Sequence, residues 1–203
     1  MGRIVVLISG SGSNLQALID GVAQNRIKGQ IVSVISNRST AFGLERAAAA
    51  HIPTHTLSFA PFKARGEDRI HYDKALGDLV HEATPDLIVL AGWMRILTQS
   101  FVKRFSDRLI NLHPALPGEF PGKDAIERAW QAAQRGELAR TGVMVHRVIE
   151  EVDAGAVLGV QALPIHEHDS LTTLTDRIHD VEHRLLVQVV AELLAPQTKT
   201  PTH

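Results

Sequence analysis

Asn111 and His113 stand two residues apart at the end of the run LINLH, and PALPGEFPG follows. Side chains at that spacing point to the same face of a strand. A carboxamide can donate hydrogen bonds to a developing oxyanion, and an imidazole can carry a proton near neutral pH. Pro114, Pro117, Pro121, Gly118 and Gly122 exclude regular helix or sheet beyond His113. The two groups therefore sit where a buried strand breaks into a stiff loop. In open α/β sheets, ligands are handled at such carboxyl ends of strands. Asn and His are also common turn formers, so this pattern alone leaves both roles open.

A second feature points to an anion. Residues 4–8 (IVVLI) form a short β-branched apolar run, SGSGSN follows, and Leu15, Leu18, Ile19 and Val22 then recur at helical spacing. Strand, glycine loop and helix start together offer backbone N–H groups to a ligand. A tight turn capped by serines is the plainer alternative. The pattern is G-x-G-x-x-L, without the third glycine of a dinucleotide fingerprint. The next apolar run, 31–35, ends in Ser36-Asn37 and lacks the acidic residue that holds a cofactor ribose. Neither a nicotinamide cofactor nor a P-loop is supported; a phosphate monoester fits better.

The elements that must position these groups follow in order. Residues 41–50 and 69–83 read as helices, 54–57 and 86–91 as strands, and 60–67 as a loop carrying Lys63 and Arg65. Phe101 falls in a short helix, and a further helix spans 125–135. Near-continuous apolar strands alternating with helices predict an α/β fold with a mostly parallel sheet covered on both faces. In residues 141–149 alternation returns, with Val143, Val145 and Arg147 on one side and Met144, His146 and Val148 on the other. The acidic turn 150–155 leads into a strand at 156–163, which predicts an antiparallel pair at the sheet edge. The last helix, 171–194, is apolar at Leu171, Leu174, Ile178, Val181, Leu185 and Val189. One domain over 1–195 is expected, with a polar tail at 196–203.

Composition narrows the function classes. The 203 residues carry a net charge of −1 and only 4% aromatics, which offers no general basis for nucleic-acid binding. With no cysteine, disulfides, thiolate metal sites and cysteine nucleophiles are excluded. The apolar start is too short for a signal peptide or membrane span, so a cytoplasmic location without membrane partners is expected.

Taken in order, ISGSGSNLQALID, AGWMRIL, INLHPALPGEFPG and MVHRVIEEVDAG resemble the phosphoribosylglycinamide formyltransferase family, from about Arg3 to Leu194. Those are the folate-dependent glycinamide ribonucleotide transformylases of purine synthesis. The resemblance implies a Rossmann-like twisted sheet whose N-terminal half holds the nucleotide and whose C-terminal half holds the folate. It implies Asn111, His113 and Asp153 as a catalytic trio, although Asp153 alone reads as a turn aspartate before Ala154-Gly155. Gly12, Ser13 and Asn14 would hold the phosphate, with Glu182 on the ribose hydroxyls and His179 one turn earlier. Met94, Arg95, Ile96, Leu97, Ile149, Glu150, Glu151 and Val152 would line the pterin. The arginine for the folate tail maps to Arg65 or Arg69, and Arg69 before Tyr72-Asp73 fits the motif better. The co-substrate implied is 10-formyltetrahydrofolate, with no metal and no covalent intermediate; the partners are small molecules, and the chain a monomer or homodimer. Asp153 is expected to raise the pKa of His113 by favouring its charged form. His146 is either a core residue or close to substrate.

Departures and rivals remain. Ala115, Gly118 and Glu119 alter the loop after His113, and Trp93 stands where phenylalanine is frequent. His179, Glu182 and His183 match the H-x-x-E-H metalloprotease pattern, although eleven histidines make chance pairs common. A nucleotide-binding protein without catalysis would need no oxyanion donor. A formyltetrahydrofolate hydrolase or methionyl-tRNA formyltransferase is expected to carry an additional domain.

Overall fold

The structure is a computed structural model that describes residues 1–196. The expected polar tail lies outside the described residues except for Pro196. Seven strands form one sheet in the order β3-β2-β1-β4-β5-β6-β7. The first five are β1 (Gly2–Ile8), β2 (Gly29–Ser36), β3 (Thr54–Thr56), β4 (Leu87–Leu90) and β5 (Leu109–His113). They run parallel. β6 (Arg140–Arg147) and β7 (Val157–Pro164) close the sheet antiparallel, with β7 at the edge. The expected parallel core and antiparallel edge pair are both present.

Strand β1 shows why the core divides in two. Ile4, Val6 and Ile8 pack under α1 (Ser13–Ala23), α2 (Phe42–Ala49), α6 (Ala125–Gln134) and α7 (Leu171–Leu193). Val5 and Leu7 face the opposite cluster, which Tyr72, Leu76 and Val80 of α4 (Arg69–Glu82) share with Phe101 and Phe105 of α5 (Gln99–Phe105). A strand buried on both faces needs apolar residues at every position, which is the uninterrupted run seen in the sequence. The same rule holds for β6. Its residues Thr141 to His146 are all buried, so both sides of its alternation are covered.

One correction concerns residues 60–67. Ala60–Ala64 form a short helix, α3, because Pro61 lies in the first turn, where a missing N–H costs nothing. The Pro and Gly content of the segment reads as a loop for the same reason that the helix stops after five residues.

The carboxyl ends of the parallel strands gather three segments at one rim: the glycine loop after β1, residues 91–98 after β4, and the proline-rich loop after β5. Ser9 Oγ accepts a hydrogen bond from Met94 N at 2.8 Å, joining the first two across the point where strand order reverses.

Candidate active site

Strand pairing builds the centre of the site. Asn111 is the register partner of His146, and His113 of Met144, in the antiparallel β5–β6 ladder. His113 and His146 are 4% and 2% exposed. Asp153 enters from the β6–β7 connection in a left-handed conformation, φ 55°. Its carboxylate is the hub. Oδ1 accepts from Asn111 Nδ2 at 3.1 Å and lies 3.4 Å from His146 Nε2. Oδ2 accepts from Gly122 N at 2.9 Å and lies 3.3 Å from His113 Nδ1.

The ring protons follow from what each nitrogen faces. His146 Nδ1 donates to the Arg147 carbonyl at 2.8 Å, so in the neutral ring Nε2 accepts from Asn111 Nδ2 at 3.2 Å, and in the charged ring it donates to Asp153 Oδ1 instead. Both hydrogens of the Asn111 amide are thereby directed at protein acceptors. His113 Nε2 donates to the Phe120 carbonyl at 3.1 Å. His146 therefore belongs to the site, and so do two backbone groups of the following loop. The type of a loop residue does not reveal what its carbonyl faces. The signal for His146 was its place on the Met144 face of β6.

A second cluster lies at the start of α1. Gly12 caps the helix with φ 70° and no side-chain cap, which leaves the N–H groups of Ser13, Asn14 and Leu15 without intrahelical acceptors. The capping-serine alternative is thus not what the chain does. A Cβ at Gly12 would lie 2.5 Å from Gly43 Cα, so close packing on α2 demands glycine as firmly as the backbone angle does. Asn14 Nδ2 donates to Glu182 Oε2 at 3.0 Å, tying α1 to α7. The other oxygen of that amide, Asn14 Oδ1, is buried without a partner. Burial pushes the Glu182 carboxyl above its ordinary range, and the Asn14 bond and the charge of His179 only partly offset it. His179 and His183 stack with centroids 6.4 Å apart. Glu182 turns to Asn14, and among the described residues no set of three His, Asp or Glu is placed to hold a metal.

The two segments expected to line a pterin share an unusual property. Met94 and Ile96 are 56% and 59% exposed, and Ile149 and Val152 are 44% and 42% exposed. Gln99 donates to Glu150, which joins the segments at their base. Exposed apolar side chains on adjoining polar-rimmed loops mark a binding surface more than a solvent face. Leu97 instead packs on the core, and Arg95 lies over the rings of Phe59 and Tyr72 at 4.6 and 4.8 Å. Arg65 pairs with Glu67 at 2.7 Å and covers Phe62, whereas Arg69 is exposed with no ion pair among the described residues.

Comparison with known proteins decides the family. A formyl transferase domain profile matches residues 2–190. The chain belongs to the formyl transferase family. A Schizosaccharomyces pombe protein named phosphoribosylglycinamide formyltransferase is 46% identical over 202 residues, covering 96% of this chain and 98% of the relative. An Escherichia coli protein of the same name is 42% identical, covering 93% and 85%. The crystal structure of glycinamide ribonucleotide transformylase 1 from Symbiobacterium toebii superposes with a TM-score of 0.87 at 38% identity, covering 94% of this chain and 86% of that one.

In this formyl transferase the expected upward pull of Asp153 on His113 is present, but a larger opposing effect outweighs it. Burial pushes His113 below its ordinary value. Asp153 and the Phe120 carbonyl pull it upward, as a carboxylate and an acceptor should, but do not win. Burial also works against the Asp153 carboxylate. Hydrogen bonds from His146 and Gly122 N, with the charges of the two histidines, outweigh it and leave Asp153 lowered. The pair is thus an ionised carboxylate beside an imidazole poised on the neutral side.

Proposed function

We propose that this protein transfers the formyl group of 10-formyltetrahydrofolate to the amine of glycinamide ribonucleotide. The observation that carries the reading is the closed Asn111–His113–Asp153–His146 network, set between a free helix N-terminus and an exposed apolar rim. The helix N-terminus suits a phosphate monoester, Glu182 suits ribose hydroxyls, and the residues 94–97 and 149–152 suit a flat heterocycle. Arg69 is the cation for the folate glutamate.

The chemistry needs no covalent enzyme intermediate. The uncharged amine attacks the formyl carbon, and the carbonyl oxygen gains negative charge in a tetrahedral intermediate. Asn111 gives that oxygen one of the N–H groups now spent on Asp153 or His146. Such a donor is typically worth about 3 kcal/mol at the transition state. His113, whose charged form Asp153 favours once the ring takes up a proton, supplies the second stabilising group. The attacking nitrogen must lose a proton and the folate nitrogen gain one; the imidazole or an ordered water carries it. Collapse then releases tetrahydrofolate and the formylated amide.

Mixing the protein with both substrates and following the folate product by absorbance tests the reading. Product that requires the nucleotide and is lost in His113→Ala supports it. Product formed without the nucleotide supports a hydrolase instead, and no product returns the chain to a binding role.

A further inference from the structure

The Phe120-Pro121-Gly122 tripeptide touches both members of the His113–Asp153 pair. The Phe120 carbonyl accepts from His113 Nε2 at 3.1 Å, and Gly122 N–H donates to Asp153 Oδ2 at 2.9 Å. That same oxygen lies 3.3 Å from His113 Nδ1. Pro121 between them has a fixed φ and no N–H to spend elsewhere. Phe120 holds φ 45° and Gly122 φ 84°. Glycine adopts such angles freely, but a bulky aromatic residue does so only where its surroundings hold it there. Arg128 helps: its guanidinium lies 5.5 Å from the Phe120 ring and donates to the Pro121 carbonyl at 2.7 Å.

A carbonyl can only accept, and so can a carboxylate. His113 thus faces an acceptor at each nitrogen, while a neutral imidazole has a single N–H. A proton on Nδ1 would satisfy Asp153 and make Nε2 a bare base pressed against the Phe120 oxygen. A proton on Nε2 satisfies Phe120 and leaves Nδ1 turned to the carboxylate, ready for a second proton. The groups around the ring are Asp153, His146, and the carbonyl-bearing loop. None of them can donate to either ring nitrogen, but the Phe120 contact has hydrogen-bond geometry whereas Asp153 approaches Nδ1 at 3.3 Å as an ion-pair contact only, so the single proton of the neutral ring belongs on Nε2.

We propose that Phe120 is a positioning residue for His113: its left-handed backbone carbonyl keeps the ring proton on Nε2, so that His113 enters the reaction as donor and proton carrier and not as an Nε2 base. The role in catalysis rests on the proposed formyl transfer; the proton's location does not, and is measured without turnover.

Long-range proton–nitrogen NMR of the full chain labelled at histidine reads the tautomer directly. In the wild type above neutral pH, His113 is expected as the Nε2–H form, and a dominant Nδ1–H form overturns the proposal. Phe120→Gly and Phe120→Asn tolerate a left-handed backbone and are expected to keep that tautomer and the wild-type shape of the kcat/KM pH profile. Phe120→Val resists it, and is expected to shift the tautomer and lower kcat about tenfold, with KM for the nucleotide within about twofold. If Phe120→Val fails to fold, the wild-type spectrum and the Gly and Asn variants still decide. A tautomer that moves in the Asn variant as far as in the Val variant makes the side chain, not the carbonyl, responsible and overturns the proposal. Absence of formyl transfer with an Nε2–H ring would instead overturn only the reaction assigned to the site.

Discussion

Asn111 and His146 are register partners on neighbouring antiparallel strands, and their side chains meet at 3.2 Å above that pairing. The sheet ladder thus sets the orientation of a carboxamide in the site. His146→Ala removes the acceptor that pins Asn111 and leaves a buried gap. It is expected to lower kcat about tenfold with little change in KM, and to cost about 1–3 kcal/mol of stability. Steady-state kinetics beside thermal unfolding check this; an unchanged kcat would return His146 to a purely structural role.

Burial and Asp153 act on His113 in opposite directions. In Asp153→Asn the upward pull is lost, so the NMR titration midpoint of His113 is expected below its already lowered wild-type value. A histidine held low stabilises the fold above its unfolded pKa of about 6.5 and loses that contribution as pH falls through the folded value. Acidification is therefore expected to weaken the wild type more than His113→Gln over that window, measured as Tm against pH.

Glu182 carries a conflict between stability and binding. Its raised pKa means that the buried ionised carboxylate destabilises the fold at neutral pH. That contribution is favourable only below the unfolded pKa and is lost as pH rises through the folded value. Glu182→Gln is expected to raise Tm at pH 7 by roughly 2–4 °C while raising KM for the nucleotide about tenfold. A lower Tm with unchanged KM would contradict both assignments.

Gly12→Ala meets an immovable neighbour, because the atom in the way is the Gly43 backbone. A loss of about 2–4 kcal/mol is expected, with loss of phosphate affinity. By contrast Gly122→Ala has open space around the new methyl group and only its φ to strain. It is expected to cost about 1 kcal/mol. Denaturant unfolding of the two variants distinguishes steric from conformational demand.

What the chain's letters disclose depends on distance along it. The parallel β-α alternation, the glycine loop and the strand end at His113 are written in local apolar runs and in the residues that break them. Asn111 and His113 were legible because a strand carries both to one face. Asp153 was not legible from its turn chemistry and became so only through resemblance to a family. His146 depended on a register between strands 35 residues apart. Phe120 contributes a carbonyl, which every residue has, so its type carried no signal. The direction of the His113 shift turned on depth of burial, a property of the packed fold and not of any motif.

The central claim is that a formyl group passes from folate nitrogen to nucleotide amine at Asn111, His113 and Asp153. Carbon-13 label in the formyl group of the donor, followed by NMR in the presence of glycinamide ribonucleotide, tests it most directly. The account predicts that the label appears as a formamide carbon bonded to the nucleotide's glycyl nitrogen, and that His113→Ala and Asp153→Asn each suppress this signal. Label released as free formate at the same rate with or without the nucleotide would contradict it.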